Sequence, residues 1–464
     1  MNKVNTSSSK WFAVATVIAV ICVACGIFYY YNFFRQNNAN LIESVPDDAV
    51  FIFKINNPEP FVKNSTKLSP YMNELFFMGT FAGFHSFLDK VPSQNDKNNT
   101  GIVISAHNTG DKLTLLHSAK MTSHNFDKLL KILQIDSRNC IVFENSNIYQ
   151  FGTHYHKFYF VWHHNIFSSS ESLDLLKKTI KQHKQVKNLT FDKDFKEIYE
   201  IVAKNDKQNW LLLDYNQYLT FIKNNLHEKF GNIETDINSH KWAAFQVRLT
   251  ENEIKLAGYL QTPAQLSDNK DFNSTLPNQI IPQNCDFCVM SEAQICKFIV
   301  SHDSVSYDYI AEMLDTAANT FERLLPEGVT EDSAVKFKNR LIFPANIFFL
   351  APEDDRFYSY TTHILQQDNF AVSSDTLPAL KYYISRMNQM ETLEDNPLYR
   401  FANQNLPSQF IYKELYFFNT EFVRGRVFKK ENTLPQTAAK ISMFGISLSE
   451  NKNGFIPSNI YIRF

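Results

Sequence analysis

The pattern of apolar and polar positions changes character along the chain. Trp11 to Tyr31 (WFAVATVIAVICVACGIFYYY) is an unbroken run of 21 residues without a charge. At about 1.5 Å of rise each, a helix of that length spans roughly 31 Å, close to the roughly 30 Å of a bilayer core. After residue 40 the apolar positions fall into shorter runs. Val50–Ile55, Gly101–Ala106, Lys112–Ala119 and Phe158–Trp162 read as strands, and Pro70–Val91 as a helix. Leu173, Leu176 and Ile180 place one apolar stripe opposite a lysine-rich face, which predicts an amphipathic helix. Trp242–Leu249 and Ile254–Leu260, around Thr250-Glu251-Asn252, predict a hairpin. Strands precede and follow helices without regular alternation. The expectation is therefore an α+β fold with mostly antiparallel sheets behind an N-terminal transmembrane helix.

Trp11 at one end of the apolar run and Tyr29, Tyr30 and Tyr31 at the other resemble interfacial aromatic belts. Lys3 and Lys10 flank the first end, and Arg35 follows the second. The positive-inside rule then places residues 1–10 in the cytoplasm and the rest on the outer side of the membrane. A lipoprotein signal cut before Cys25 is the rival reading, although the run continues past that cysteine and lacks the usual aliphatic residue three positions before it.

Comparing the chain with itself shows an internal match. Residues 166–189 align without gaps to 370–393, with eight of 24 positions identical. Ordinary composition supplies about one or two by chance. Val45–Phe51 resembles Ile281–Phe287, and Phe245–Asn252 resembles Phe444–Asn451, in the same order. The implied units are 42–262 and 277–464, joined by a Pro/Ser/Asp/Asn-rich linker at 263–276. Pro46 to Ser169 spans 123 residues and Pro282 to Ser373 only 91, so the second unit is expected to lack a hairpin or helix from the 100–160 region.

Composition narrows the chemistry. The chain has 464 residues, 42 Phe and 21 Tyr, a formal charge of -2, and 12 Gly. The aromatic content favours sheet. The mixed, near-neutral charge lacks the basic patch that nucleic acid requires. Gly79 and Gly83, the closest glycines, have neither a Walker lysine nor a GxGxxG beside them, so neither phosphate-cradling loop is present.

Four groups of residues invite a chemical reading. Ser169 and Ser373 precede a helix with Glu171 or Asp375 in its first turn, which points to helix capping rather than a nucleophile. Cys285-x-x-Cys288 with Cys296 resembles a metal or redox motif. Positions three apart on a strand point to opposite faces, however, which favours buried apolar roles, with a disulfide that could also draw on Cys140 as the alternative. His154, His156, His163 and His164 could approach one another in a hairpin, but no acid or cysteine is placed to complete a metal shell. Phe76, Phe77, Met78, Phe81, Phe84, Phe87 and Leu88 read as a core helix, with membrane-surface or partner contact as the alternative. No catalytic, cofactor-binding or metal-binding residue is assigned, and no cofactor is expected.

Pro46-Asp47-Asp48-Ala49, the serines from Ser168 to Ser172, the Trp242–Gly258 closing strands and Leu276-Pro277 resemble the pattern of an uncharacterised family of anchored bacterial envelope proteins with a duplicated extracytoplasmic domain. That family has no established activity, so the resemblance implies a setting and no site residues. The expected function is a membrane-anchored, non-enzymatic scaffold or binding module of the envelope. It would use a groove between its units, with the bilayer and an unknown envelope protein or ligand as partners. An extracytoplasmic hydrolase whose site is assembled from distant residues is the alternative.

Overall fold

The computed structural model describes residues 40–56, 58, 61, 101–109, 112–152, 157–184, 189–204, 207–214, 216–217, 242–261, 277–291, 295–302, 305–314, 320–349, 359–389, 391–418 and 441–464. The apolar run 11–31, the Pro70–Val91 stretch, the linker, His154 and His156 lie outside them. The chain divides into two compact bodies, residues 1–49 with 86–192 and residues 50–85 with 193–464.

The first ten strands in chain order are β1 (Ala49–Ile55), β2 (Ile102–Thr109), β3 (Lys112–Lys120), β4 (Ile141–Phe143), β5 (Ser146–Gly152), β6 (Lys157–His163), β7 (Ile166–Ser170), β8 (Trp210–Asp214), β9 (Trp242–Leu249) and β10 (Glu253–Gln261). They are followed by β11 (Cys285–Ser291), β12 (Ile295–His302), β13 (Val305–Met313), β14 (Val335–Phe337), β15 (Arg340–Phe349), β16 (Ser359–Gln367), β17 (Phe370–Ser374), β18 (Tyr412–Phe417), β19 (Met443–Leu448) and β20 (Phe455–Arg463). The helices among the described residues are α1 (Ser123–Ile132), α2 (Leu173–Lys184), α3 (Lys193–Ala203), α4 (Leu377–Met387) and α5 (Pro397–Asn405).

The first body pairs its strands in the order β4–β5–β6–β7–β3–β2, antiparallel throughout. Helix α2 covers one face, where Leu175, Leu176 and Ile180 meet Leu116, Ile148 and Val161. Phe126 of α1 lies on aromatic side chains of the strands, its ring 5.7 to 6.3 Å from those of Tyr149, Phe160, Trp162 and Phe167. Each helix thus follows from an apolar stripe at helical spacing meeting alternate residues of the strands.

In the second body the ladder runs β1–β8–β9–β10–β20–β19–β18–β11–β12–β13–β17–β16–β15–β14, again antiparallel. Leu380, Tyr383 and Ile384 of α4 and Tyr399 and Ala402 of α5 close its main core with Phe298, Tyr309, Leu415 and Phe417. Phe287 and Val289 of β11, Tyr416 of β18 and Phe418 just beyond it form a second apolar cluster from alternate positions. The pairing order β4–β5–β6–β7–β3–β2 recurs as β14–β15–β16–β17–β13–β12, and β1–β8–β9–β10 recurs as β11–β18–β19–β20.

These observations correct the expected α+β fold; the expected N-terminal transmembrane helix, residues 11–31, lies outside the described residues. Antiparallel sheet dominates, and the helices are 9 to 12 residues long and serve as covers. Among the described residues no helix is long and apolar enough to cross a membrane. The physical reason lies in the alternating Phe-, Tyr- and Val-rich runs, whose period of two builds far more ladder than the few 3.6-period stripes build helix. The extra length of the first half is also placed differently from expectation. Residues 101–160 hold β2 to β6, which have β12 to β16 as counterparts, and the difference falls at 56–101 against 292–294.

Gly258 of β10 shows how close the ladder packs. A Cβ built there would lie 1.8 Å from the Ala244 carbonyl oxygen of β9. Backbone on a paired strand cannot give way cheaply, so Gly258→Ala should destabilise the protein by about 3 kcal/mol, read as a lowered urea midpoint. An unchanged midpoint would refute this account of the glycine.

Candidate functional site

The most concentrated polar chemistry in the first body is built around Asp48. Leu41–Ser44 forms a 3-10 turn, Pro46 and Asp47 lead the chain round, and Asp48 stands just before β1. Its Oδ1 accepts from Nδ1 of His107, 2.7 Å away, and its Oδ2 accepts from Nζ of Lys178 on α2 at 2.6 Å. The other ring nitrogen of His107, Nε2, meets Oγ of Ser105 at 2.8 Å. Ser105 and His107 are two apart on β2, so strand alternation places both side chains on one face. A second chain of hydroxyls, Ser44 to Ser118 at 3.2 Å and Ser118 to Ser168 at 3.0 Å, ties the same opening segment to β3 and β7.

This acid–imidazole–hydroxyl order matches that of a nucleophilic triad, with the carboxylate on Nδ1 and the hydroxyl on Nε2. The surroundings decide what it can do. Ser105 and His107 are fully buried. Ser105 lies within a strand rather than on an exposed turn, so no substrate carbonyl reaches its Oγ in this conformation. The arrangement fastens the opening turn to β2 and α2. The hydrogen bonds from His107 and then from Lys178 outweigh burial and hold the Asp48 carboxyl well below the usual carboxylate range. His117, on the opposite face of β3, is pushed down to about 4 by burial, against the bond to the Ser169 backbone.

The second body holds a buried amine. Lys413 of β18 is fully buried, donates to Oδ1 of Asn403 at 3.0 Å, and lies 4.9 Å from the Phe410 ring centroid. Burial pushes its pKa down to about 8. Ser447, also fully buried, stands opposite it on β19. A serine and a lysine of lowered pKa form a known nucleophile–base combination, but this pair too is closed to solvent.

The residues singled out in the sequence are placed as follows. Ser169 and Ser373 sit within β7 and β17 and are not caps. The strands run on to Ser170 and Ser374, and the caps fall three positions on from the expected ones: Ser172 Oγ accepts from the Leu175 N–H, and Thr376 Oγ1 from the Ala379 N–H. Cys285, Cys288 and Cys296 are buried free thiols in one core cluster, and Cys140 is half-buried. Cys285 and Cys288 share a face, contrary to strand alternation, because the register shifts between Cys285 and Phe287. Burial, then the neighbouring Cys288 thiol, push the Cys285 thiol well above its ordinary range, and burial does the same to Cys296. His163 bonds through Nδ1 to Ser146 Oγ at 3.0 Å, and its ring centroid lies 3.8 Å from that of His164. His164 occupies a left-handed turn position with φ 50°. Among the described residues no group of three or more His, Cys, Asp or Glu could hold a metal ion. Phe76 to Leu88 lie outside the described residues. His107, Ser105, Lys178 and Lys413 are absent from the sequence reading. Asp48 is distant in the chain from both His107 and Lys178, and only the alternation Ser105-x-His107 hinted that two of the four share a face.

No protein-family model matches the chain, and no curated protein matches it. Among solved structures it is similar to TP0453 in crystal form III, at 9% identity over 50% of this chain and 82% of that one, with a TM-score of 0.27. Crystal form I gives 9% identity over 50% and 81%, and form IV 10% over 49% and 83%, at the same TM-score. A likeness of that size carries no argument about fold or function.

Two outcomes follow. A carboxylate depressed in the folded state adds stability that is complete above its unfolded pKa and is lost as pH falls through its folded value. Asp48→Asn should therefore lower the urea midpoint at pH 7 and have little effect at the acid end of the transition. With the Asp48 side chain 37% exposed, solvent screening limits the loss to about 1–2 kcal/mol. For Lys413 the shift is also downward, so stability again rises with pH, but here the charged form is the one the fold penalises. Below about pH 8 the amine is charged in both states and the folded state bears the burial cost. As pH rises from there toward 10.5 the unfolded chain holds more protons, and stability increases by up to about 3 kcal/mol. Lys413→Met should flatten this rise and raise the midpoint at pH 7. A midpoint that stays parallel to the parent's across that range would refute the burial argument.

Proposed function

We propose that the protein is a non-enzymatic binding or scaffolding module of a bacterial envelope, exported beyond the inner membrane and tethered through its apolar residues 11–31. The recurrence of one pairing order in β1–β10 and β11–β20 supports reading the chain as a tandem duplication, an architecture that presents the same kind of edge twice. The observation that carries the binding role is at those edges. In the described pairings β4 bonds β5 alone and β14 bonds β15 alone. Both edge strands leave aliphatic side chains in solvent: Ile141 at 40%, Val142 at 69% and Val335 at 39%. An edge with free backbone donors and acceptors and exposed β-branched side chains is a template for strand addition. The partner that fits is an extended apolar segment of another envelope protein. The resemblance to anchored envelope proteins and the apolar run support the setting.

The hydrolase reading rests on one observation, the order of Asp48, His107 and Ser105. It requires the opening segment or α2 to lift from the sheet.

Crosslinking of the full chain in intact bacterial cells, with neighbours identified by mass spectrometry, tests the binding role. A partner attached near β4 or β14 is expected, and the double variant Val142→Lys, Val335→Lys should cut its capture about tenfold, an effect near 1.4 kcal/mol. Unchanged capture would sink the edge reading. Labelling of Ser105 by a fluorophosphonate probe in the same cells would move the assignment to hydrolase.

A further inference from the structure

Three of the six cysteines of the chain, Cys285, Cys288 and Cys296, converge on one patch of the second body's core. The ladder between β11 and β12 places Cys285 opposite Val300 and Phe287 opposite Ile299, so Asp286 is an extra residue. Its carboxylate accepts from the Ser301 backbone N–H at 2.6 Å, which fixes the bulge. A bulge reverses side-chain alternation. Cys285 and Cys288 therefore lie on the same core face, where the Cys285 thiol donates to the Phe287 carbonyl oxygen at 3.0 Å. Cys296 joins that face from β12, opposite Met290. Filling the core does not call for sulfur here. The opening sequence match sets Cys285 and Cys288 against Ala49 and Ile52, both fully buried in β1.

We propose that Cys285 and Cys288 are a modification site, joined by a disulfide across the bulge in the oxidised protein. The two thiols give up two electrons and two protons as the sulfur–sulfur bond forms. The disulfide of a dithiol–disulfide exchange protein accepts them and leaves as a dithiol. The exchange precedes closure of the core, because a thiolate must attack and both sulfurs are sealed once the sheet has formed. The closed loop is only about four residues long, so the denatured chain loses little entropy. The bond acts locally, holding the bulge that aims Asp286 at the Ser301 amide. Cys296 is the third thiol of the patch and the internal competitor. The inference rests on the extracytoplasmic reading for its oxidant.

The test is peptide mapping of the full chain, with cells lysed directly into denaturant containing the alkylating agent and the protein digested without reductant. A second sample is reduced, denatured and refolded with oxidised glutathione. The expected result is a Cys285–Cys288 linkage in both samples, with Cys140 and Cys296 alkylated. Linkage in the refolded sample alone supports the site and removes the extracytoplasmic reading instead. Alkylation of Cys285 and Cys288 in both samples, or linkage of either to Cys296, overturns the proposal. Cys285→Ala is a control expected to fold, since alanine is what the first half carries at Ala49. It should abolish the linkage and any shift of the melting curve on adding reductant.

Discussion

Nine consecutive cross-strand pairs, from Glu253 with Arg463 to Gln261 with Phe455, join β10 to β20, and the second body depends on them. Remove that pairing and the ladder separates into β1–β8–β9–β10 and the strands from β20 onward, each with a bare edge. Side chains at one end reinforce the seam. Glu253 accepts from the Tyr461 hydroxyl at 2.7 Å and lies 3.2 Å from the Lys255 amine and 3.5 Å from the Arg463 guanidinium. The guanidinium rests 3.7 Å from the centroid of the Phe401 ring of α5. Burial raises the Glu253 carboxyl, but the Tyr461 bond and the two cations outweigh it and leave it below its ordinary value. Such a cluster, with Glu253 only 19% exposed, holds its geometry better than an isolated surface pair.

What could be read from the sequence follows the range of the interactions. The hairpin of β9 and β10 was visible because alternation and its turn are local, and α2 because its apolar stripe repeats within twelve residues. The seam between β10 and β20 was not, because partners some two hundred residues apart leave no local trace. The site around Asp48 failed to appear for the same reason, since Asp48 and His107 are 59 residues apart. Local signals also misled where one residue changed the phase. The strand before α2 runs on to Ser170, which moved the cap from Ser169 to Ser172. The extra Asp286 turned Cys285 to the face of Cys288, which alternation alone forbids. A bulge is set by the partner strand and by where the Asp286 carboxylate finds a donor, and neither is written in the spacing of the cysteines.

The two sets of strands, taken as copies, also weigh the polar interior of the first body. Counting from the β2–β3 and β12–β13 hairpin ends, Ser105 and His107 correspond to Phe298 and Val300, and Ser118 to Ala311. The matches at 166–189 and at the opening set Ser168 against Val372 and Ser44 against Ile280. All five counterparts lie in the second body's main core. The same pairing order is therefore closed once by hydroxyls and an imidazole and once by apolar side chains. A fold that forms with Phe298 and Val300 does not need Ser105 and His107 to form. Buried polar groups carry a cost that apolar ones avoid, and they are tolerated here only because each is bonded.

One contact survives in altered chemistry. Asp48 bonds Lys178 in the first half, and at the matching positions Asn284 donates to the Tyr382 hydroxyl at 3.0 Å. The link between the opening turn and the helix is thus made in both halves, once with charge and once without. What the first half adds is His107 and Ser105 behind the carboxylate. This added pair, rather than the link itself, distinguishes the first body chemically. Any role confined to one half of the molecule has its strongest physical basis there.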